Sequence, residues 1–344
     1  MDWKVGSPVG FLQLSHPALE WRFFHLPRLT LVFLFFLPFL LSPGQVSAAE
    51  SFLVPLGPIA QEQKTHFLWV IALTMVAIFP VFILVPVILI KYRRKKGHGI
   101  YAPKWESYGP LELMMWGVPF MVILVLSSML WRATSRLDPY QAVEGVLPPI
   151  QMQVVGLDWK WLFIYPDLGI ATVGELVIPV HTPVSMTLTS DTVMQSFLIS
   201  ALAGQIYVMP GMTTKLNFIA SKTGETEGEN TQFTGRGFAD QKFTVSVRSE
   251  EEFHTWSEQV RAVGIELDTA TYHRLAERST RRKAHSELAT AQMPAKAIYF
   301  TLPNLQLFRD IVMRYHSGKP LSIEEQPGTE KFGRSRDAVK DAQP

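Results

Sequence analysis

The residue types that bind transition metals are unevenly supplied in this chain. Its 344 residues include nine histidines and no cysteine. The chain therefore has no thiol for a disulfide, a thiolate metal site or a cysteine nucleophile. No two histidines are three or four residues apart, the spacing that places both on one helix face. Ordinary surface or loop positions suit them better than a metal site: His16, His25, His66, His98, His181, His254, His273, His285 and His316.

Sequence motifs of stand-alone enzymes are also missing. Gly235-Arg236-Gly237 has no third glycine at the dinucleotide-binding spacing, and the sequence contains no phosphate-binding loop, no H-E-x-x-H and no G-x-S-x-G. We therefore expect the chain alone to be non-catalytic.

One acidic side chain, Glu112, lies almost at the start of a long apolar segment. A carboxylate at a helix N-terminus complements the helix dipole and reaches interfacial water, which is one interpretation. The other is proton transfer, because acids at membrane depth or at the membrane edge are often functional. The residues alone leave both open.

Two segments are long and apolar enough to cross a bilayer as helices. Residues 67–90 carry no charge, and residues 111–131 carry only Glu112. Segments of this length span the hydrocarbon core, and membrane helices tolerate internal prolines such as Pro80, Pro86 and Pro119. We predict a transmembrane hairpin.

The N-terminal residues resemble a secretory signal. Basic residues precede the apolar run 29–41, and Ala48-Ala49 supply small residues for cleavage. An uncleaved anchor is the alternative. The basic run 91–96 marks the loop between the spans as cytoplasmic by the positive-inside rule, so the remainder after the second span lies outside.

The part after the spans is predicted to be a β-domain followed by a helical arm. Short alternating segments such as 150–154 and 243–247 are typical of a β-sandwich or barrel. Apolar residues then recur at helical spacing. The predicted organisation is an N-terminal extension and signal (1–49), an external segment (50–66), helix 67–90, a cytoplasmic loop (91–110), helix 111–131, a β-domain (147–250), a helical arm (251–316) and a disordered tail (317–344).

Composition agrees with a membrane-anchored protein that has one external domain. The mean hydropathy of +0.13 is high for a soluble protein and low for one that is mostly membrane-embedded. The net charge of +2 argues against a nucleic-acid partner, which would need a concentrated basic excess.

Three segments carry a family resemblance. They are the aromatic cluster 158–166 (DWKWLFIYP), the segment 189–197 (TSDTVMQSF) and the segment 203–212 (AGQIYVMPGM). Together they resemble subunit II of the haem–copper oxidases, and within that family most closely subunit II of the cytochrome bo-type ubiquinol oxidases. The resemblance implies an all-β cupredoxin-like sandwich or barrel, anchored by a two-helix hairpin and followed by a C-terminal helical arm.

In cytochrome c oxidases, the related subunit holds a dinuclear copper centre through two cysteines, two histidines, a methionine and a backbone carbonyl. The resemblance places other residues at these positions, and none is expected to bind metal: Gln195, Asn230, Gln232, Thr234, Phe238 and Gln241. No alignment register changes this, because the chain has no cysteine to supply a bridging thiolate.

The resemblance also implies the function. Ubiquinol is oxidised by the complex, O₂ is reduced to water, and protons are pumped. The haems and copper belong to subunit I, so this chain has no cofactor of its own. Its implied partners are that haem-bearing subunit, other oxidase subunits and membrane lipids, but not cytochrome c. The segment around Glu112 matches an E-x-x-W-x-x-P pattern that implies proton uptake.

The implied location is the bacterial inner membrane, with two spans and a periplasmic β-domain and C-terminus. Two other functions remain as alternatives at this stage. One is a copper electron carrier of the cytochrome c oxidase type, and the other is a membrane-tethered β-sandwich interaction module.

Overall fold

The computed structural model describes residues 53–92, 107–329 and 331–332. The predicted signal (1–49) and most of the basic run 91–96 lie outside these residues. Elements are numbered below in chain order.

Two long helices precede the β-domain. Helix α1 is Pro58–Lys91 and helix α2 is Gly109–Arg136. Both are long and apolar enough to cross a membrane, and nearly all of their side chains are exposed. Exposure of so many apolar side chains would be unfavourable in water, and it suits helices that a bilayer or a partner covers. The two helices pack against each other, and Arg136 pairs with Glu62 at 3.6 Å near the β-domain.

The β-domain consists of two packed sheets. The strands are β1 (Ile150–Leu157), β2 (Lys160–Tyr165), β3 (Ile170–Val173), β4 (Glu175–Pro179), β5 (Pro183–Ser190), β6 (Gln195–Ile199), β7 (Ala203–Val208), β8 (Thr214–Ile219), β9 (Gly224–Asn230) and β10 (Lys242–Arg248). Two further strands, β11 (Ile265–Glu266) and β12 (Ile298–Thr301), come from the C-terminal arm. One sheet has the order β11-β12-β3-β2-β1-β5-β8, and the other has the order β4-β10-β9-β6-β7. This arrangement confirms the predicted β-sandwich or barrel, and the structure shows it to be a sandwich of two sheets.

Aromatic side chains fill the space between the sheets. Strand β2 is buried at every position, which explains why apolar and aromatic residues follow its first residue, Lys160, without interruption. Trp161 meets Phe197 edge-on at 5.0 Å, and Phe197 stacks on Phe243 at 5.3 Å between ring centroids. Edge-on and offset ring pairs add stability beyond the area that they bury. Phe243 is paired with Gly228 on the neighbouring strand β9. The Phe243 ring lies where a Cβ atom of residue 228 would be, so only glycine leaves room for it.

The C-terminal arm packs against this sandwich. Its elements are α3 (Glu250–Val263), β11 (Ile265–Glu266), α4 (Thr269–Ala276), α5 (Arg281–Leu288), β12 (Ile298–Thr301) and α6 (Leu307–Arg314). Side chains cap the first three helices: Ser249, with Glu252 in a capping box, then Asp268 and Thr280.

One part of the arm is a strand instead of a helix. Residues Ile298–Thr301 form β12, which pairs antiparallel with β3. The segment Ile-Tyr-Phe-Thr contains only β-branched and aromatic residues, which favour a buried strand. The arm therefore extends the sheet of the β-domain.

The hairpin is fastened to the β-domain at both of its outer ends. Before α1, the backbone of Leu56 donates to Ala201 O and accepts from Ser221 N, each at 2.8 Å. After α2, Pro139 O accepts from the backbone and the side chain of Asn217, at 3.0 and 3.1 Å. These bonds join the hairpin to the turn between β6 and β7 and to the strand β8.

Candidate functional site

Three of the residues that the family resemblance places at copper-ligand positions meet inside the β-domain. Gln195 begins β6, Asn230 ends β9 and Gln241 precedes β10. Because these strands are neighbours in the order β10-β9-β6, their ends bring the three carboxamides together. Gln195 and Gln241 are fully buried, and Asn230 is 4% exposed.

The three carboxamides hydrogen-bond to one another. Gln241 donates from Nε2 to Gln195 Oε1 at 2.6 Å, and Asn230 donates from Nδ2 to Gln241 Oε1 at 2.9 Å. Gln195 and Gln241 both donate to the backbone carbonyl of Leu157 at 3.2 Å, and Gln195 also donates to Thr192 Oγ1 at 3.0 Å. We call Gln195, Asn230 and Gln241 the amide cluster.

The other three positions lie at or beyond the edge of the amide cluster. Gln232 donates its backbone N–H to Asn230 Oδ1 at 3.0 Å. Thr234 accepts a long bond of 3.4 Å from Asn230 Nδ2. Phe238 is half-buried outside the cluster and contacts Phe233, with ring centroids 5.7 Å apart.

The amide cluster does not fit a dinuclear copper centre. Such a centre needs soft thiolate ligands and imidazoles. Here the side chains supply only amide and hydroxyl groups, and the amides are already committed to one another. Within residues 53–92, 107–329 and 331–332, no three His, Cys, Asp or Glu side chains are grouped as a metal site. The hydrogen bonds of the cluster satisfy its own buried carboxamides and the buried backbone carbonyl of Leu157.

Glu112 lies far from the amide cluster. It is exposed in the first turn of α2, at the end of the hairpin opposite the β-domain. Its backbone N–H donates to Tyr108 O at 3.1 Å, which closes the first helical turn. The geometry is compatible with both interpretations of Glu112, which are stabilisation of the helix dipole and transfer of protons.

Comparisons with known proteins agree on one family, although no protein-family model matches the chain. The chain is 41% identical over 225 residues to the cytochrome bo(3) ubiquinol oxidase subunit 2 of Pseudomonas putida, covering 65% of this chain and 72% of that protein. It is 37% identical over 266 residues to the ubiquinol oxidase subunit 2 of Acetobacter aceti, covering 77% of this chain and 82% of that protein. The chain belongs to the subunit II family of the ubiquinol oxidases. The family resemblance is thereby confirmed.

Among solved structures, the periplasmic domain of cytochrome oxidase subunit II of Bradyrhizobium japonicum is similar to this chain. It has a TM-score of 0.33 and 22% identity, and the match covers 36% of this chain and 98% of that one. As a member of the subunit II family, the chain is part of an oxidoreductase complex. Its two apolar helices fit an inner-membrane protein with a periplasmic domain.

In this oxidase subunit, Trp159 covers the amide cluster. It occupies the turn between β1 and β2 with a positive φ of 65°, which is rare for a bulky residue. Its Nε1 donates to Thr234 O at 3.2 Å, and its ring lies where a Cβ of Gly237 would be. The guanidinium of Arg278, from the arm, lies 5.0 Å from the centroid of the Trp159 ring. Trp159 is only 9% exposed as a result.

A buried ammonium fixes the arm beside Trp159. Lys160 Nζ lies within 3.1 Å of the carbonyls of Asp158, Glu277 and Ser279 and of the Ser279 hydroxyl. Burial lowers the pKa of Lys160 to about 7, against the opposing effect of the Asp158 charge. Burial also raises the pKa of Asp158, although Arg278 is 3.4 Å away.

A second buried charge, Asp191, connects the arm to segment 189–197. Its carboxylate is fully buried and pairs with Arg314 at 2.9 Å. Tyr272 donates to it at 2.6 Å, and the Tyr315 hydroxyl lies 2.9 Å from Oδ1. Burial raises the pKa of Asp191, and the Arg314 charge opposes this rise.

Sequence reasoning missed Lys160 and Asp191 as anchoring residues. Their partners on the arm are 81 to 124 residues away in the sequence, so no local spacing reveals them. The available signal was a charged residue inside an otherwise neutral motif, such as Asp191 within TSDTVM.

Proposed function

We propose that this subunit anchors and assembles a proton-pumping ubiquinol oxidase and holds no copper centre of its own. The observation that carries the proposal is the amide cluster. Its carboxamides occupy the positions that the family resemblance assigns to copper ligands, and their hydrogen bonds satisfy one another. A buried polar network of this kind favours a fixed structure over an open ligand site.

Electrons then reach the complex from ubiquinol and not from cytochrome c. The haem-bearing subunit I supplies the haem and copper chemistry that reduces O₂ to water. The names of the similar proteins in Pseudomonas putida and Acetobacter aceti, both ubiquinol oxidases, support this donor. This chain contributes the membrane anchor, the surface that docks on subunit I and a residue that supplies protons.

A neutral surface at one end of the β-domain is our candidate for contact with subunit I. Between Asp191 and Lys215 the sequence contains no charged residue. Exposed apolar side chains on this stretch include Val193, Met194 and Met212. Together with Phe233, from the loop that also carries the exposed Arg236, we call them the docking surface. Protein interfaces lose charged residues at their centre and are enriched in methionine and aromatic side chains.

The position of the docking surface favours a protein partner over this chain's own hairpin. Strand β5 begins at Pro183, beside the linker that follows α2, and ends at Ser190, beside the docking surface. A strand of this length spans roughly 23 Å at about 3.3 Å per residue. The docking surface therefore lies a full strand length away from where the hairpin joins the domain.

The topology proposed is that of a two-span protein of the bacterial inner membrane. The basic run 91–96 supports a cytoplasmic loop between the spans, and the β-domain and C-terminus then lie in the periplasm. In that topology, Glu112 is at the cytoplasmic end of α2. We propose that it delivers protons to an uptake channel of subunit I.

One experiment tests the central proposal. The complex is purified through a tag on subunit I, its oxidation of ubiquinol and of reduced cytochrome c is measured, and the metal content of this separated chain is determined. We expect ubiquinol oxidation only, with no copper in this chain. Copper in the chain together with cytochrome c oxidation would identify an electron carrier. Failure of this chain to copurify with tagged subunit I, together with its separate isolation as a stable monomer, would identify an interaction module.

A further inference from the structure

We propose that Arg314, Tyr315 and His316, at and just after the C-terminal end of α6, form an assembly clamp. The clamp holds two loops in the conformation required for docking on subunit I. The first loop is 191–194 and the second is 209–213; we call them the docking loops. They carry Val193, Met194 and Met212 of the docking surface. The inference rests on the proposed docking function and adds to it the element that positions the surface.

The clamp holds the first docking loop through Asp191. Arg314, the last residue of α6, places its Nη1 at 2.9 and 3.1 Å from the two carboxylate oxygens. The hydroxyl of Tyr315 lies 2.8 Å from the Asp191 backbone carbonyl and 2.9 Å from Oδ1. Tyr272 of α4 binds the same carboxylate from another side of the arm. The side chain and the backbone of Asp191 are therefore both fixed by the arm.

The same clamp holds the second docking loop. His316 donates from Nε2 to Gly211 O at 2.7 Å. The Cβ of Tyr315 lies 2.9 Å from where a Cβ of Gly211 would be, and Gly211 has a positive φ of 71°. A glycine is required here because the backbone approaches the clamp closely in a left-handed conformation.

The end of β5, which leads into the first docking loop, is also bonded to the second docking loop. Thr189 Oγ1 donates to Met212 O at 2.7 Å, and Ser190 forms an isolated bridge with Pro210. Three consecutive residues, Arg314, Tyr315 and His316, thus control one connected structure. A change at the end of α6 reaches both loops.

The chemistry of the clamp favours positioning over simple stabilisation. Asp191 is fully buried and the Arg314 side chain is 23% exposed. A largely buried ion pair contributes little net stability compared with an apolar pair of the same shape, whereas loss of one partner is costly. What the pair provides is a defined geometry two and three residues from the exposed side chains of Val193 and Met194. Fixing a loop before binding reduces the entropy lost on binding. The clamp therefore increases the affinity of the docking surface without touching the partner.

The test uses the assembled oxidase, purified through a tag on subunit I, with the amount of this chain per subunit I as the readout. Arg314→Met removes the ion pair, and Tyr315→Phe is a milder variant that removes only the hydroxyl contacts and keeps the ring against Gly211. Arg309→Met is the matched control, because Arg309 is exposed on the same helix. We expect Arg314→Met to lower retention in detergent washes at least tenfold, Tyr315→Phe to lower it less, and Arg309→Met to leave it unchanged.

Hydrogen exchange on the purified full-length chain separates positioning from unfolding. We expect Tyr315→Phe to speed exchange in residues 191–194 and 209–213, while the amides of β1, β2 and β5 remain protected. Wild-type retention with both clamp variants would overturn the inference, and so would loss of protection throughout the β-domain with Tyr315→Phe.

A surface variant distinguishes the clamp from the docking proposal. Phe233→Ser alters the docking surface and leaves the Asp191 contacts intact. If Phe233→Ser weakens retention and the clamp variants do not, the clamp is refuted and the docking proposal stands. If Phe233→Ser has no effect, the docking proposal itself fails.

Discussion

Gln241 donates a 2.6 Å hydrogen bond from its Nε2 to Gln195 Oε1, although the two residues are 46 positions apart in the sequence. Both side chains are fully buried, so water does not replace the bond when it is lost. An unpaired buried polar group costs more free energy than the bond itself contributes. This asymmetry makes the contribution of the pair measurable.

The first prediction concerns this pair. Gln241→Leu leaves Gln195 Oε1 and Asn230 Nδ2 without their best partner, and should lower the free energy of unfolding by about 2–4 kcal/mol. The double variant Gln195→Leu/Gln241→Leu should cost less than the sum of the two single variants, because it removes both members of the pair. Denaturant unfolding of the full chain in detergent, followed by tryptophan fluorescence, measures both. Gln205→Leu, at an exposed position of β7, is the control, and strict additivity would contradict the prediction.

The second prediction concerns pH and Lys160. Burial holds the pKa of Lys160 at about 7 in the folded chain, below its ordinary value of 10.5. Between these values the unfolded chain binds more protons, so the free energy of unfolding should rise with pH, by at most about 1.4 kcal/mol per unit. Lys160→Met should abolish this rise, because the titrating group is gone. Unfolding measured from about pH 7 to 9.5 tests the slope, with exposed Lys222→Met as the control. An unchanged slope in Lys160→Met would refute the assignment.

The third prediction concerns the contact between Trp159 and Gly237. A methyl group at position 237 would overlap the Trp159 ring, so Gly237→Ala should displace the ring and lower the free energy of unfolding by about 1–3 kcal/mol. Fluorescence should report a more solvated tryptophan. In a Trp159→Ala background the same glycine substitution should cost much less. An equal loss of unfolding free energy in both backgrounds would show that the Trp159 ring is not what excludes a larger side chain at position 237.

Apolar length and strand alternation were enough to predict the hairpin and an all-β sandwich or barrel. These patterns did not predict strand β12, because a short apolar stretch such as Ile298–Thr301 fits a helix as well as a buried strand. They could not give the contacts of Asp191 with Arg314, which are 123 residues apart and depend on how the arm folds back on the sandwich. The amide cluster likewise depends on the strand order β10-β9-β6, which no local pattern specifies.

The last prediction concerns Glu112 and separates its two interpretations. If Glu112 supplies protons to the complex, Glu112→Gln should slow ubiquinol-driven O₂ consumption about tenfold, equivalent to about 1.4 kcal/mol in the barrier, while subunit I still copurifies in normal amounts. Glu112→Asp should recover part of the rate, because it retains a carboxylate. Glu144→Gln, at an exposed acid in the linker after α2, should have no effect. If Glu112 only complements the helix dipole, Glu112→Gln should change stability by about 0.3–1 kcal/mol and leave turnover and proton pumping as in the wild type.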